Sequence, residues 1–237
     1  HKLRTPVFYD RIGEDTLSGP VFDSAALPED PMASLEAGRV PDVPGLIGTN
    51  RDEFTLFVAL QYLRGARQYV PQGYPDLLAD TFGARAAAVA DRYPLDRYNG
   101  SAALAYSAAV TDGVFACVSY RMAEDLPGAV YAYEFNDPAP PTPEPMRTLP
   151  FPVGASHSLE LRYLFDVGGA PPLDPAQQRL SDQMIDRWTQ FVADGDPGGG
   201  WTEFGAGQVL SLQPDGSRMV DDFAAVHQCD FWAGLRR

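Results

Sequence analysis

The chain has 237 residues, and 18 Lys and Arg against 32 Asp and Glu give a formal net charge of −14. Nucleic acids and anionic membrane surfaces attract clusters of Lys and Arg, so this balance argues against both as partners. A hydrophobic content of 45%, with 13 Phe, 11 Tyr and 3 Trp, indicates a folded chain with a substantial core. No apolar run approaches the roughly 18 residues of a membrane helix, so no span is expected.

The first part of the chain carries one clear helix signal. Residues 1–16 have no clear period, and residues 16–23 are typical of a strand that ends in a turn. Asp30 is a favoured N-cap, Pro31 suits the first helical position and Gly38 suits a helix end. A short helix is therefore expected between Asp30 and Gly38.

Two acidic residues follow the next predicted strand. Residues 43–47 predict a short buried strand, Gly48-Thr-Asn50 predicts its end, and Asp52 and Glu53 are expected to open a helix. Open α/β sheets build their sites beyond the carboxyl ends of strands, and a carboxylate there can orient a histidine base. The alternative is that both acids only favour the helix N-terminus through its dipole.

The middle of the chain combines helices, a strand and a proline-rich loop. Residues 74–126 are helical in pattern with breaks, and Cys117 lies among apolar neighbours, which favours a structural role over a reactive thiol. Residues 129–135 are rich in β-branched and aromatic side chains and predict a strand. Seven prolines between residues 137 and 152 exclude a helix or an inner strand, so we expect a long surface loop there.

That loop leads to His157, which lies in a Gly- and Ser-rich segment before an apolar run suited to a helix. The chain has only two other histidines, His1 at the terminus and His227 in the closing segment. Imidazole titrates near neutral pH, so His157 is the candidate general base. A solvated or structural loop histidine is the alternative.

The last third predicts a long helix and a hairpin. Asp174 as N-cap, Pro175 at the first helical position and Gly195 at the end delimit a helix whose buried stripe contains large apolar side chains. Residues 208–212 and 217–220 are expected to form an edge hairpin. The tail is expected to form a short helix.

Several of these segments together resemble the type-B carboxylesterases, the α/β-hydrolase group that includes the cholinesterases. The matching segments are Gly48-Thr-Asn-Arg-Asp-Glu53, Thr111-Asp-Gly-Val-Phe-Ala-Cys117, Val130-Tyr-Ala-Tyr-Glu-Phe135, Gly154-Ala-Ser-His157 with Glu160, Asp186-Arg-Trp-Thr-Gln-Phe-Val-Ala-Asp-Gly-Asp-Pro197 and His227-Gln-Cys-Asp-Phe-Trp232. The resemblance implies that Glu53 is the triad acid and His157 the base. A Glu53 oxygen should then lie within hydrogen-bond reach of His157 Nδ1. Glu160, one helical turn further on, is expected to support the pair.

One part of the family pattern is absent. The family's nucleophilic serine sits in a G-x-S-x-G turn upstream of the acid, and no G-x-S-x-G occurs in these 237 residues; Gly154-Ala-Ser-His-Ser158 lacks the second glycine. The glycine-rich oxyanion loop is absent too. Residues 1–237 are therefore expected to be the C-terminal half of one α/β-hydrolase domain, with a mostly parallel sheet, helices on both faces and no nucleophile of its own.

The expected activity follows from that interpretation. The substrate is a small-molecule carboxylic ester, no metal or cofactor is implied, and the isolated chain is expected to be inactive. It should pair with the missing N-terminal half or self-associate, because the break exposes a sheet edge. The alternatives are a cholinesterase-like adhesion or binding module without catalysis, and a fragment with no function of its own.

The two cysteines, Cys117 and Cys229, are too few for a disulfide scaffold or a zinc site. Two buried thiols would explain them. The resemblance instead implies a Cys117–Cys229 disulfide, because cholinesterases link cysteines at both of these positions. A persistent disulfide in turn implies a secreted protein.

Overall fold

A four-stranded sheet organises the chain. The computed structural model describes residues 24–25 and 27–235, so the strand predicted at 16–23 lies outside the described residues. The strands are β1 (Gly45–Asn50), β2 (Val130–Phe135), β3 (Val209–Leu212) and β4 (Arg218–Val220), in that spatial order. β1, β2 and β3 are parallel, and β4 is antiparallel to β3. The mostly parallel sheet expected from the sequence is confirmed.

Helices occupy most of the remaining described chain. The α-helices are α1 (Pro31–Glu36), α2 (Thr55–Leu63), α3 (Tyr74–Phe82), α4 (Ala86–Arg92), α5 (Ala102–Val110), α6 (Cys117–Asp125), α7 (Glu144–Arg147), α8 (Leu161–Leu164), α9 (Pro175–Asp194), α10 (Phe223–Val226) and α11 (Cys229–Leu235). The cap signals predicted two of them correctly. Asp30 accepts hydrogen bonds from the N–H groups of Met32 and Ala33, and Asp174 forms a capping box with Gln177.

The sheet is covered by helices on both faces. Side chains alternate between the two faces of a strand, and β2 shows this separation clearly. Tyr131 and Phe135 pack with Leu180 and Met184 of α9 on one face. Val130 and Ala132 belong to a second cluster with Ala116 and Ala123 on the other face, and the larger helical core lies beyond the sheet. Glu134 lies on the same face of β2 as Val130 and Ala132, and it is a buried charged residue.

Helices α5 and α6 form one continuous helical run, because a π-helical segment, Thr111–Ala116, connects them. This run, Ala102–Asp125, has 24 residues and a mean hydropathy of 1.4 over its most apolar window. By length and composition it is apolar enough to span a membrane, so the sequence expectation of no such run was wrong. Of that window, 61% is buried inside the protein. The mostly buried core helix of a soluble protein meets the same criterion.

Three local predictions need correction. Strand β1 does not end at Ile47, since Gly48-Thr-Asn50 continues to pair with β2 up to Asn50. Asp52 and Glu53 lie in a turn, and α2 begins only at Thr55. The proline-rich loop contains the one-turn helix α7, because Pro145 occupies a first-turn position where its missing N–H has no helical partner to lose.

A disulfide ties the C-terminal helix to the core. Cys117 at the start of α6 is bonded to Cys229 at the start of α11, with Cα atoms 5.2 Å apart. Neither cysteine is therefore free to act as a thiol nucleophile. The bond closes a loop of 112 residue positions and holds the segment that carries His227 against the π-helical segment.

Candidate active site

Two loops meet at the carboxyl end of β1. The turn at residues 51–54 follows β1, and the segment that carries His157 follows the proline-rich loop. Asp52 joins them: its N–H donates to the carbonyl of Ala155 at 3.0 Å, and its Oδ2 accepts from the Ala155 N–H at 2.9 Å. Burial raises the pKa of Asp52 above its ordinary range, while the bond from Ala155 opposes that shift. Asp52 thus connects the loops and leaves its neighbour Glu53 free for the imidazole.

Glu53 and His157 form a direct pair. His157 Nδ1 lies 2.6 Å from Glu53 Oε2, and the backbone N–H of His157 donates to the Glu53 carbonyl at 3.2 Å. An ionised carboxylate only accepts hydrogen bonds, so Nδ1 carries the proton. In the neutral imidazole this leaves Nε2 as the basic nitrogen, which is the tautomer that a general base needs.

The second oxygen of Glu53 is also held. Oε1 accepts from the N–H of Asn50 at 2.8 Å and lies 3.3 Å from Oγ1 of Thr49. Glu53 is only 7% exposed, so these bonds replace the water that the carboxylate loses. Both donors belong to the end of β1, which means that the strand itself sets the orientation of the carboxylate.

The imidazole of His157 lies between aromatic rings and solvent. The rings of Phe57 and Phe115 have centroids 5.2 and 6.0 Å from it, and its side chain is 43% exposed. Within the described residues its Nε2 makes no hydrogen bond. The bond to Glu53 raises the pKa of His157 above its ordinary value, against the effect of burial. Ser158 follows with φ 69, a conformation that non-glycine residues rarely adopt and that is often found at functional sites.

Asn50 is a site residue that the sequence interpretation missed. Its Nδ2 donates to the carbonyl of Ser156 at 2.9 Å and to Oε2 of Glu160. Glu160 thus contacts Asn50, and within the described residues it makes no hydrogen bond to His157. Burial raises the pKa of Glu160, and the bond from Asn50 lowers it. The signal in the sequence is a polar amide at the end of a buried strand, although Gly48-Thr-Asn50 by itself predicts only a strand end.

Ser156 is not placed to act as a nucleophile. Its residue is 0% exposed, and its Oγ has no hydrogen-bond partner among the described residues. A catalytic serine must face both the substrate and the histidine base. The described chain therefore brings Glu53 and His157 together, with Asn50 and Glu160 behind them.

Gly154 has to be a glycine for two reasons. Its φ is +62, and a Cβ there would lie 2.3 Å from Asp52 Oδ2. We expect Gly154→Ala to lower the free energy of unfolding by about 2–3 kcal/mol, about 1 from the left-handed backbone and the rest from the displaced Asp52 hydrogen bond. Gly65→Ala is the matched control, since Gly65 has φ +66 and nothing within 4 Å. Urea denaturation measures both, and equal losses would contradict the contact with Asp52.

Comparison with known sequences identifies the family. Residues 7–232 match the sequence profile of the carboxylesterase family. The chain belongs to the carboxylesterase family. Its fold is therefore the α/β-hydrolase fold, which agrees with the parallel sheet and the helices around it.

Individual relatives agree with this assignment. The chain is 29% identical to carboxylesterase 5A of Felis catus over 209 residues, which cover 78% of this chain and 36% of the relative. It is 27% identical to para-nitrobenzyl esterase of Bacillus subtilis over 75% of this chain and 35% of that protein. It is also 29% identical to the crystal protein of Dictyostelium discoideum over 51% of this chain and 22% of the relative. The matched part of the chain thus spans between 22% and 36% of the length of these relatives.

Proposed function

We propose that this chain supplies the acid and the base of a serine carboxylesterase, Glu53 and His157. The observation that carries the proposal is the 2.6 Å contact between His157 Nδ1 and Glu53 Oε2, with Nε2 left unbonded within the described residues. Family membership supports the reaction class, and the names of two relatives are those of esterases. The substrate is proposed to be a small-molecule carboxylic ester.

The proposed reaction uses His157 twice. Its Nε2 first takes the proton of a serine hydroxyl as the oxygen attacks the ester carbonyl, and then gives that proton to the leaving alcohol. Glu53 holds the imidazole in the required tautomer and stabilises the imidazolium. Glu160 keeps Asn50 in place, and Asn50 in turn donates its backbone N–H to Glu53.

The serine is proposed to come from a segment outside these 237 residues. The sheet offers a place for it, because β1 is the end strand of the described sheet and has β2 on one side only. Further parallel strands can extend a sheet at such an edge. A segment that paired there would lie beside the turn that carries Glu53. Because a stable disulfide is typical of exported proteins, we also propose that the protein is secreted.

Expression of the chain with and without a serine-bearing segment tests this function. We expect no hydrolysis of an activated p-nitrophenyl ester by the chain alone, since both the nucleophile and the oxyanion loop are missing. The two segments together should turn over the ester, and a fluorophosphonate probe should label a serine outside this chain. His157→Ala should abolish both results.

Two outcomes would contradict the proposal. Inhibitor-sensitive hydrolysis by the pure 237-residue chain would mean that it contains its own nucleophile. A folded complex of both segments that hydrolyses no ester and reacts with no probe would instead indicate a binding module.

A further inference from the structure

A second histidine is buried among charged groups on the far side of the same turn. His227 is 3% exposed, and its Nδ1 lies 2.6 Å from Asp112 Oδ1. Its Nε2 lies 2.7 Å from Glu134 Oε1. Asp112 and Glu134 are 6% and 3% exposed. Such N···O distances are direct hydrogen bonds and leave no room for a metal ion, whose own bonds to each atom would be about 2 Å long.

With both carboxylates ionised, this geometry places two protons on one imidazole. A neutral histidine has a single N–H, and each carboxylate can only accept. Burial by itself would lower the pKa of His227, but the hydrogen bonds to Asp112 and Glu134 more than offset it and raise that pKa to about 9. Burial also raises the pKa of Asp112, so these two groups compete for the shared proton. Because Asp112 Oδ2 accepts a further bond from the Tyr93 hydroxyl at 2.8 Å, the ionised carboxylate is favoured.

The remaining charged neighbours balance this arrangement. Arg51 Nη1 lies 3.5 Å from Glu134 Oε2, and the Asp52 carboxylate interacts with His227 at longer range. Two cations, His227 and Arg51, thus face the carboxylates of Asp112 and Glu134. Without the imidazolium, two buried carboxylates would share a single, half-exposed arginine. An unpaired buried charge of this kind is strongly unfavourable.

The cluster holds both ends of the turn that carries Glu53. At one end Glu134 contacts Arg51. At the other end Thr111, the neighbour of Asp112 in the π-helical segment, accepts the N–H of Phe54 at 3.0 Å. π-Helical segments often mark functional sites. Glu53 lies between these two attachment points.

We propose that His227, as a buried imidazolium bridging Asp112 and Glu134, is a positioning residue that holds the turn from Arg51 to Phe54 and thereby keeps Glu53 against His157. The inference rests on the proposed function only in naming Glu53 and His157 as the catalytic pair. His227 is buried and acts on this pair only through the turn.

The protonation state can be observed directly. The chain contains three histidines, so ¹⁵N-labelled imidazoles give a simple NMR spectrum. We expect His227 to carry a proton on each ring nitrogen at pH 7 and to titrate near pH 9. As it titrates, the Nδ1 proton of His157 should shift or exchange faster. A neutral His227 at pH 7 would overturn the proposal. A His157 signal that stays unchanged while His227 titrates would overturn it too.

The effect of His227 on the site needs a variant and a control. Glutamine carries no charge, and its N–H donors share one nitrogen, whereas His227 uses a separate ring nitrogen for each carboxylate. We expect His227→Gln to lower the pKa of His157, because the hydrogen bond that His157 Nδ1 donates to Glu53 loosens. Gln177→Met is the control: it removes a donor from another buried carboxylate, Asp137, which contacts neither end of the turn. An equal shift in both variants would mean that His227 contributes only to general stability.

The stability of the folded chain should also depend on the protonation of His227. The folded-state pKa of His227 lies above the unfolded value of about 6.5. Its contribution is therefore complete below about pH 6.5 and is lost as the pH rises through about 9. The Tm of the chain should fall over this range, and the fall should be smaller in His227→Gln than in Gln177→Met. None of these measurements requires ester hydrolysis. A negative result for His227 can therefore be distinguished from a failure of the proposed esterase function.

Discussion

Glu53→Gln is expected to lower kcat for ester hydrolysis about 10⁴-fold in a protein that contains both this chain and its serine-bearing segment. Glutamine has the shape of glutamate, but the structure dictates how its amide must lie. The N–H of Asn50 at 2.8 Å needs an acceptor, so the amide oxygen takes the place of Oε1. The NH₂ group then faces His157 Nδ1 and donates to it. The proton moves to Nε2, and the imidazole can no longer accept the serine proton.

The measurement is the steady-state rate with a p-nitrophenyl ester at saturating concentration. Glu144→Gln is the control, because it makes the same chemical change on an exposed side chain and should leave kcat unchanged. Glu53→Asp separates charge from reach, since it keeps the carboxylate but withdraws it from Nδ1. A loss below about tenfold for Glu53→Gln would remove Glu53 from the triad.

Removal of the disulfide is expected to have the largest effect on stability. The Cys117–Cys229 bond closes a loop of 112 positions, and loop-closure entropy gives about 4–5 kcal/mol for that length. We expect the double variant Cys117→Ala/Cys229→Ala to lose this much free energy of unfolding. The double variant should also hold His227 less firmly in its position, because His227 lies two residues before Cys229.

Guanidinium unfolding of the oxidised chain, the reduced chain and the double variant measures this effect. Reductant should destabilise the oxidised chain and leave the double variant unchanged. Equal unfolding midpoints for the oxidised and reduced chains would show that the bond adds nothing to stability. Alkylation of two free thiols in the native chain without reductant would show that the bond does not form.

The sequence by itself determined the elements whose signals are local. Helix α9 has its N-cap, its first-turn proline and its terminal glycine within the segment, so its limits could be predicted almost to the residue. Strand β2 could be predicted because aromatic side chains recur at Tyr131, Tyr133 and Phe135, next to the β-branched Val130. Glu53 and His157 were found through family motifs, since no periodic pattern relates two residues 104 positions apart.

Only the tertiary structure decided how the ends of these elements are used. Gly48-Thr-Asn50 looks like a strand end in isolation, but pairing with Tyr133, Glu134 and Phe135 of β2 keeps it extended. That extension places the Asn50 N–H and Thr49 against Glu53, which no local rule could predict. Strand pairing supplies backbone partners from distant residues, and these override weak local turn propensities.

The buried charges show the same division most clearly. Asp112 in an apolar helix, Glu134 in an apolar strand and His227 in the tail each look out of place in the sequence. The fold brings these three side chains within hydrogen-bond distance of one another. Only then is their burial explained, because each charge is tolerated in the interior only beside the others. Residue types and caps are local properties of the chain. Compensation between buried charges depends on distances across 93 to 115 sequence positions, and folding alone sets those distances.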